Sequence, residues 1–509
     1  MIESVIFFFS GSGMVMLFIL FMRINVVGSK SKLVKHRSKE PGFVDLLIYA
    51  SVVDEGVIVG KDGSLMAAWA YQGVDSNSST EAERDQVSLQ INHALSRMGS
   101  GWMIHIDAVR KPAPGYSAKD DSHFPDPVSA AIDEERREFF ERVGTLYESN
   151  YVITATYLPP LLAQQKFVEL MFDDEGVPVD SKTRTIALLN HFKRECANIE
   201  SHLSSVFRMK RLKGKTITKE DNSSVNYDAF LRWIQFCISG LDHPVILPKN
   251  PIYLDALLSG QEFWGGVVPK IGQNFIQVVS IEGFPLASSP GLINSLADLP
   301  CLYRWSTRFI FMDTHEAVGH LEKFSKKWKQ KIRSFFDQVF NSHSSNVDQN
   351  AINMVSDAQA AIAETNSGEV AQGYYTSVVV LMSESRGDLE ASARQVAKAI
   401  NHLGFAARIE TINTIDAYLG SLPGHGVENV RRPLLNTMNL ADLMPSNTVW
   451  PGKNEAPCPM YPPMAPPLMH CTTQGATPFR LNLHVRDLGH TFMFGDTGAG
   501  KSTHLALIA

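Results

Sequence analysis

The sequence is poor in cysteine and has no closely spaced cysteine pair. Its 509 residues include five cysteines, and none of them forms a C-x-x-C pair. An odd number of scattered cysteines predicts neither a disulfide framework nor a zinc site. Cys196 and Cys237 fall within apolar helical patterns and are interpreted as core residues. The cysteine content therefore indicates a protein of a reducing compartment.

The sequence also lacks an excess of positive charge. The formal net charge is −6, which argues against bulk electrostatic binding of nucleic acid. Hydrophobic residues make up 44% of the chain and charged residues 20%, as in ordinary globular proteins. A chain of this length has room for several domains with sizeable cores.

One long apolar run lies near the N-terminus, from Val5 to Met22. As a helix it would span about 27 Å, which is enough for a bilayer core. No basic residue precedes the run, which argues against a cleaved signal peptide. The basic residues that follow it are Arg23, Lys30, Lys32, Lys35, Arg37 and Lys39. By the positive-inside rule they place the main body of the chain in the cytoplasm. The alternative is an apolar helix packed on the protein or on a partner.

A P-loop spacing, G-x-x-x-x-G-K-[ST], stands at the other end of the sequence. The residues predicted to bind nucleotide are Gly495, Asp496, Thr497, Gly498, Ala499, Gly500, Lys501, Ser502 and Thr503. Glycine lets backbone N–H groups approach phosphates closely. Lys501 would place a positive charge on the β- and γ-phosphates of ATP, and Ser502 would offer a hydroxyl to Mg²⁺. Lys501 and Ser502 are therefore the candidate catalytic residues, and Ser502 is the candidate metal contact.

The residues around this loop favour a strand-loop-helix unit. His490 to Phe494 predicts a buried strand, and Thr503 to Ala509 predicts a helix whose N-terminus faces the phosphates. Thr477 to Val485 alternates as a strand that turns at residues 486–489 and pairs with the P-loop strand. The alternative is a glycine-rich turn that binds no ligand.

The long middle of the chain alternates between strand and helix patterns. Residues 43–157 read as strand, helix, strand, helix, strand, and residues 275–410 repeat that order. A helical region lies between them. The prediction is an α+β region of two related, ferredoxin-like α/β units with a helical insert, followed by the start of a RecA-like α/β domain.

Two polar features in this region are interpreted as solvent-exposed. His105 and Asp107 alternate with apolar residues in a predicted strand, and are assigned to a solvated or edge face rather than to chemistry. The basic cluster of residues 208–215 is interpreted as a solvated helix end, with a nucleic-acid contact as the alternative. Lys213 to Asn226 is predicted to be a loop.

Composition divides the chain into four segments. They are a transmembrane anchor with its basic flank (1–40), an α+β docking domain with a helical insert (41–435), a proline-rich linker (436–475) and the start of a P-loop domain (476–509). The sequence ends eight residues after Lys501, before the later carboxylate and arginine finger that P-loop ATPases use. We therefore expect a fragment with weak nucleotide binding and no turnover of its own.

Several runs of the sequence carry a family resemblance. They are residues 43–69, 421–424 (Ser-Leu-Pro-Gly), 429–433 (Asn-Val-Arg-Arg-Pro), 439–445 (Asn-Leu-Ala-Asp-Leu-Met-Pro) and 489–502. With these runs, the chain resembles the conjugal-transfer ATPases of type IV secretion systems (the CagE/TrbE family). The resemblance implies an N-terminal domain that docks on an inner-membrane channel, and a RecA-like ATPase domain that is often hexameric.

The same resemblance implies a function and a set of partners. The function is to power pilus assembly and DNA or protein transfer, with ATP and Mg²⁺, at the cytoplasmic face of the bacterial inner membrane. The partners are other inner-membrane subunits and ATPases of the secretion system, further copies of the chain and the membrane, with at most indirect contact to nucleic acid. Two alternatives stay open: a non-catalytic assembly or anchoring subunit, and an unrelated P-loop kinase with an N-terminal extension.

Overall fold

A computed structural model of the chain divides into two compact units, residues 1–47 and 48–509. The structure describes residues 42–73, 79–121, 124, 126–159, 179–218, 224–248, 252–285, 288–339, 349–429, 433–473 and 475–508. In the first unit this leaves one helical turn, α1 (Phe43–Leu46), where the Gly42 N–H donates to the Asp45 carboxylate at 2.9 Å. The second unit contains every other described element.

The second unit is built from short and medium-length helices and strands. The helices are α2 (Glu81–Leu95), α3 (Pro127–Val143), α4 (Val179–Leu203), α5 (Ala229–Ser239), α6 (Leu254–Leu258), α7 (Thr314–Val339), α8 (Gln349–Ser367), α9 (Arg386–His402), α10 (Thr414–Leu419), α11 (Thr437–Leu443) and α12 (Lys501–Ile508). The strands are β1 (Tyr49–Asp54), β2 (Val57–Gly60), β3 (Leu65–Gln72), β4 (Trp102–Pro112), β5 (Tyr147–Tyr157), β6 (Arg208–Arg211), β7 (Gly214–Thr218), β8 (Ser224–Asp228), β9 (Ile246–Leu247), β10 (Phe263–Trp264), β11 (Lys270–Ile271), β12 (Asn274–Gly283), β13 (Tyr303–Phe311), β14 (Gln372–Ser383), β15 (Ala406–Ile409), β16 (Leu434–Asn436), β17 (Met469–Thr472) and β18 (Pro478–Leu481).

The main feature is one large sheet whose strand pairs are antiparallel. Its order is β1-β2-β3-β5-β4-β13-β14-β12-β11-β10, with β6 paired to β3, β15 to β12 and β16 to β14. Each half of the sheet has the same internal order: β6-β3-β5-β4 in one and β15-β12-β14-β13 in the other. The halves join where β4 pairs with β13, from Arg110 opposite Tyr303 to Met103 opposite Ile310. The second half therefore repeats the topology of the first.

The hairpin of β2 and β3 forms where its turn residues, 61–64, predict it. Asp62 accepts hydrogen bonds from the Ser64 N–H at 3.0 Å and the Ser64 hydroxyl at 2.6 Å, and Gly63 has φ +80°. Such a turn needs the left-handed conformation that glycine adopts without strain. Helix α2 begins where Thr80 and Glu83 form a capping box.

One face of the sheet is covered by helices and forms the apolar core. Helices α2, α4, α9 and α11 pack there on strand residues such as Trp69, Ile104, Trp305 and Val379. The neighbouring residues in the same strands point to the other face, because successive side chains alternate along a strand. They include polar residues such as Asp107 and Arg304 together with apolar ones such as Met103 and Val378. The large apolar area on the helical face supplies the main stabilisation of this unit.

The second face is also buried, and it carries a group of polar side chains at its centre, the buried polar face, which makes the prediction for His105 and Asp107 wrong. Both residues are fully buried in the middle of the sheet. The segment from α10 to Asn429 lies over them, as the hydrogen bond between His105 Nε2 and the Gly420 carbonyl at 3.4 Å shows. Alternation in β4 therefore separates two buried faces, one apolar and one in which His105 and Asp107 lie among apolar residues.

Three local predictions are corrected by the structure. Arg208–Arg211 is not a helix end but β6, paired from Trp69 opposite Arg211 to Gln72 opposite Arg208. The predicted loop after it contains β7 and β8, which pair with each other. The sequence pattern predicts a helix from about Val128 to Tyr147, but α3 ends at Val143, because Gly144 (φ +81°) follows it.

The predicted membrane span from Val5 to Met22 lies outside the described residues, as does its basic flank. Within the described part of the chain, no helix has both the length and the apolar character needed to cross a bilayer. The membrane anchor remains a prediction.

Candidate nucleotide-binding site

The P-loop residues form a turn that leads into helix α12. The chain turns at residues 497–500, with the Ala499 N–H donating to the Asp496 carbonyl at 3.2 Å, and α12 begins at Lys501. Gly498 and Gly500 have φ +85° and +81°. A side chain at either position would be strained by this backbone, although open space surrounds both. The two glycines are thus required by the backbone conformation of the loop.

Lys501 folds back over this turn. Its Nζ donates to the Gly495 carbonyl at 2.8 Å and to the Asp496 carbonyl at 2.7 Å. The ammonium group therefore lies against the start of the loop. Ser502 and Thr503 follow in the first turn of α12 and are exposed. The structure thus brings the predicted residues 495–503 together.

The arrangement has the chemistry of an anion site. The N-terminus of a helix carries partial positive charge on its unpaired N–H groups, and Lys501 adds a full charge beside it. Glycines without Cβ atoms leave the turn open to a ligand. The residues present therefore fit a phosphate group, and Ser502 has the hydroxyl that a phosphate-bound Mg²⁺ would need.

The strand predicted before the loop does not form. Residues 490–494 are irregular, and Phe492 and Phe494 are 83% and 88% exposed. A strand needs a neighbour for its backbone hydrogen bonds, and no described strand pairs with this segment. The predicted turn does occur, since Val485 and Leu488 exchange backbone hydrogen bonds of 2.8 and 3.2 Å. Strand β18 instead pairs with β17.

The β17–β18 hairpin is attached to the main sheet. Arg480 is buried and forms an ion pair with Glu148 of β5, and its backbone N–H donates to the Pro451 carbonyl at 2.8 Å. Arg110 Nη1 of β4 donates to the Thr477 hydroxyl at 3.0 Å. These contacts fix the start of the segment that leads to the P-loop.

A second polar cluster, missed from the sequence, lies on the buried polar face. Arg304 of β13 donates from Nη1 to Asp107 Oδ1 and to the Ser421 carbonyl, both at 2.8 Å, and from Nη2 to the Ser421 hydroxyl at 2.6 Å. Burial raises the pKa of the Asp107 carboxyl, and the Arg304 guanidinium opposes that shift. The pair therefore ties the two halves of the sheet to the overlying segment.

Arg308 lies on the same face of β13 and binds a later part of the overlying segment, residues 425–428. Its Nη1 donates to the carbonyls of His425 at 3.1 Å and Glu428 at 2.8 Å. Burial lowers the pKa of His105 well below its usual value, and the charge of Arg308 adds to the effect. The sequence signal for this cluster is the alternate spacing of Arg304, Ser306 and Arg308, which places three polar residues on one side of the strand.

Two of the runs that carry the family resemblance lie beside buried tyrosines. The Tyr49 hydroxyl donates to the Pro423 carbonyl at 2.8 Å, and the Tyr71 hydroxyl donates to the Pro445 carbonyl at 2.9 Å. Gly424 has φ +87°, and a Cβ there would collide with Met66. The Leu-Pro-Gly run and the run that ends in Pro445 are therefore structural attachments to β1 and β3.

Two family models match this chain. Residues 56–165 match the model described as "Type IV secretion system ATPase VirB4/TrbE, N-terminal domain". Residues 215–431 match the model described as "CagE, TrbE, VirB family, component of type IV transporter system". The matched ranges together include β3 to β5 of the first half of the sheet and β12 to β15 of the second.

Curated relatives agree with the family models. The chain is 47% identical to the conjugal transfer protein TrbE of Rhizobium radiobacter over 476 residues, which cover 93% of this chain and 57% of the relative. A probable conjugal transfer protein TrbE of Sinorhizobium fredii is divided between two polypeptides. The first is 49% identical over 125 residues, or 25% of this chain and 84% of that polypeptide. The second is 48% identical over 319 residues, or 62% of this chain and 48% of that polypeptide. The chain thus spans little more than half the length of the Rhizobium relative.

Proposed function

The chain belongs to the TrbE family of type IV secretion components, and from this premise we propose that it is an ATP-binding, energising component of a conjugative secretion system. The observation that carries the proposal is the position of Lys501, whose Nζ lies on the Gly495 and Asp496 carbonyls at the start of α12. Its work in the complete system is to drive pilus assembly and transfer of DNA or protein across the inner membrane.

In this proposal, residues 495–503 hold the phosphates of ATP. The Ser502 hydroxyl would be the protein group that holds Mg²⁺, which when bound would neutralise phosphate charge. Lys501 leaves its carbonyl partners and binds the β- and γ-phosphates, because a phosphate oxygen carries more negative charge than a carbonyl. Gly498 and Gly500 keep the turn free of side chains that would block this approach.

Binding of a fluorescent ATP analogue to the full chain tests the proposal. We expect weak, Mg²⁺-dependent binding that falls at least about tenfold in Lys501→Ala, because one charge-assisted contact is worth about 1.5–3 kcal/mol. Lys453→Ala, an exposed change in the proline-rich segment, is the matched control and should bind as the parent does. If Lys501→Ala bound the analogue as tightly as the parent chain, the nucleotide would not be bound by the P-loop.

The activity of the chain alone is a separate expectation. We expect no measurable ATP hydrolysis by the 509-residue chain, because residues 495–503 supply a phosphate cradle but do not by themselves supply a water-positioning group and an arginine finger. Steady hydrolysis that disappears in Lys501→Ala would contradict this expectation while supporting the binding site.

A second candidate function is a non-catalytic assembly or anchoring subunit. It is favoured by one observation. The buried polar contacts of Arg304 and Arg308 join the sheet to the segment that lies over it, whereas the P-loop is exposed. Conjugation by cells carrying Lys501→Ala separates the two functions. Loss of transfer with normal amounts of protein supports the energising role, and normal transfer supports the anchoring role.

The finer architecture belongs to the same proposal. We propose that each half of the sheet is a ferredoxin-like unit, on the basis of the shared strand order, and that residues 476–509 begin a RecA-like domain. Residues 5–22 anchor the chain in the inner membrane with its bulk on the cytoplasmic side, next to other subunits of the secretion system. Carbonate extraction of membranes checks this point, since an integral anchor stays in the pellet.

A further inference from the structure

The basic cluster of residues 208–215 lies on two short strands, β6 and β7, and has no role in the proposed ATP site. Its exposed cations are Arg208, Lys210, Lys213 and Lys215. Lys213 forms an ion pair with Glu55 at 3.3 Å. Within the described residues, the other three exposed cations form no ion pair. The cluster therefore presents three positive charges at the surface without a paired carboxylate in the described part of the chain.

The carboxylates that lie beside the cluster already have partners. Asp54 pairs with Lys193, and Glu55 pairs with Lys213. Asp228 of β8 is buried and accepts hydrogen bonds from the first N–H groups of α5. Counted along the sequence, residues 208–223 contain six basic and two acidic residues, and the turn 219–223 lies outside the described residues. The segment therefore has an excess of positive charge.

Strand β7 is an open edge. It is the outermost strand of a small sheet with the order β7-β8-β9, and no described strand pairs with its other side. Four of its five residues are exposed, namely residues 215–218. A strand in this position presents unpaired backbone N–H and C=O groups, to which another strand can add.

The register of β7 and β8 shows which backbone groups are open. The Ala229 N–H donates to the Lys213 carbonyl at 3.3 Å, just before the two strands pair. Because hydrogen-bonded pairs recur at every second residue of an antiparallel ladder, Lys215 and Ile217 bond to β8. The N–H and C=O groups that point away from β8 belong to the alternate residues, Gly214, Thr216 and Thr218.

The side chains on one face of this small sheet are mostly apolar. Ile217 lies opposite Val225. Tyr227 lies between Lys215 of β7 and Ile246 of β9. Opposite residues and residues two apart share a face, so these five side chains do. Ile217 and Ile246 are 42% and 49% exposed. An added strand would therefore place one side chain beside Ile217 and another, two residues away, beside Lys215.

Charge favours an acidic partner over a second copy of this chain. Pairing of β7 with another β7 would bring two copies of the basic cluster together, and like charges on neighbouring strands are destabilising. A lysine on an edge strand is a common protection against such self-pairing. An acidic strand has the opposite sign and would give Lys215 a counter-charge. A nucleic acid is negative too, but it offers no strand for the open N–H and C=O groups of β7.

We propose that β7 binds an extended segment of a partner protein as an added strand. The open N–H and C=O groups of Thr216 and Thr218 form the ladder to this segment. Two of its side chains, two residues apart, contact β7: an acidic one beside Lys215 and an apolar one beside Ile217. The positive charges of Arg208 and Lys210 assist the encounter. The contact does not involve the P-loop, so it can be tested apart from ATP binding.

Fluorescence anisotropy of labelled peptides, with the full chain in detergent, tests the side-chain pairing. One peptide is Thr-Val-Thr-Glu-Thr-Val-Thr, which reads the same in both strand directions, and the other has Lys in place of Glu. We expect the parent chain to prefer the glutamate peptide about tenfold, and Lys215→Glu to reverse the preference, because cross-strand charges attract or repel. Lys453→Glu, an exposed change in the proline-rich segment, is the matched control and should keep the preference. An unchanged preference in Lys215→Glu, or no binding of the glutamate peptide up to about 1 mM, would overturn the proposal.

The variant Thr216→Pro tests the backbone ladder. Proline removes the outward N–H, and an edge strand tolerates it where that N–H faces solvent. Thr216→Val keeps the N–H and is the matched control. We expect binding of the glutamate peptide to be lost in Thr216→Pro alone. Slow hydrogen exchange at the amides of Lys215 and Ile217 in that variant shows that β7 still pairs with β8. Equal binding by the two variants would overturn the proposal.

Hydrogen exchange and a DNA probe separate an added strand from other ligands. Bound glutamate peptide should slow exchange at the amides of Thr216 and Thr218 in the parent chain, because a new ladder protects them. Unchanged exchange at both amides in the peptide complex would overturn the proposal. Oligothymidylate is the probe for nucleic acid. If it bound in place of the glutamate peptide, with binding lost in Lys215→Glu but kept in Thr216→Pro, the cluster would be a nucleic-acid contact and the proposal would be wrong.

Discussion

Replacing Asp107 with asparagine tests whether the buried polar face stabilises the sheet through charge. Asp107 is fully buried, and its Oδ1 lies 2.8 Å from Nη1 of the equally buried Arg304. The change keeps the shape of the side chain but leaves the guanidinium without its counter-ion. Removing one partner of a buried pair costs about 3–5 kcal/mol, because the other charge stays desolvated. Ser421 keeps its two contacts to Arg304, which places the expected loss near the lower limit, about 3 kcal/mol.

The assay is urea unfolding of the full chain, followed by tryptophan fluorescence. Trp305 is buried next to Arg304 in β13 and reports on the opening of this region of the sheet. Glu390→Gln is the matched control: its pair with Arg386, at 3.1 Å, is largely exposed and should contribute at most about 1 kcal/mol.

The double variant Asp107→Asn with Arg304→Met sharpens the test. With both charges removed, no uncompensated charge remains, so the double variant should be more stable than the sum of the two single losses indicates. Additive losses, or a loss in Asp107→Asn no larger than that in Glu390→Gln, would refute the role assigned to the buried pair.

Three further changes have defined outcomes. Burial lowers the pKa of His105, so the unfolded chain binds a proton near pH 6.5 that the folded chain does not. Stability present above that pH is therefore lost as pH falls, by about 1.4 kcal/mol at pH 5.5, and His105→Asn should remove this contribution to the pH dependence of urea unfolding. Gly373→Ala should cost about 1–3 kcal/mol in the same assay, because its Cβ would collide with the Phe309 ring. Tyr418→Phe should cost about 1 kcal/mol, since the Ile238 carbonyl loses a buried donor at 2.6 Å; an unchanged unfolding midpoint in either variant would contradict its stated contact.

Local sequence patterns were sufficient to predict most of the longer helices and strands of the second unit. The helical periodicity after Thr80 and the valine-rich run that became β14 each predict the observed element, because their stabilising contacts repeat at the helix or strand period. The glycine spacing of residues 495–500 likewise predicts the turn into α12. These features depend on residues that are neighbours in the sequence.

Features that depend on distant partners could not be read from the sequence. The burial of His105 and Asp107 depends on Arg304 and on residues 420–429, which lie some two to three hundred residues further on. Strand β6 has four residues, two of them exposed, and its pairing is set by β3. The irregular segment 490–494 has a strand's sequence but no described strand beside it. In each case the deciding contact is tertiary.

The two tyrosine contacts also determine when the first strands can finish folding. Tyr49 and Pro423 are 374 residues apart in the chain, and so are Tyr71 and Pro445. A ribosome adds about 5–20 residues per second, so about 20–75 s pass before the partners of β1 and β3 have been made. During that interval Leu65 and Trp69, buried in the finished fold, belong to an incomplete core with an open sheet edge. Contacts this far apart also slow folding, because the long loop between them must be closed first. Newly made chains should accordingly need chaperone protection until residue 445 has left the ribosome.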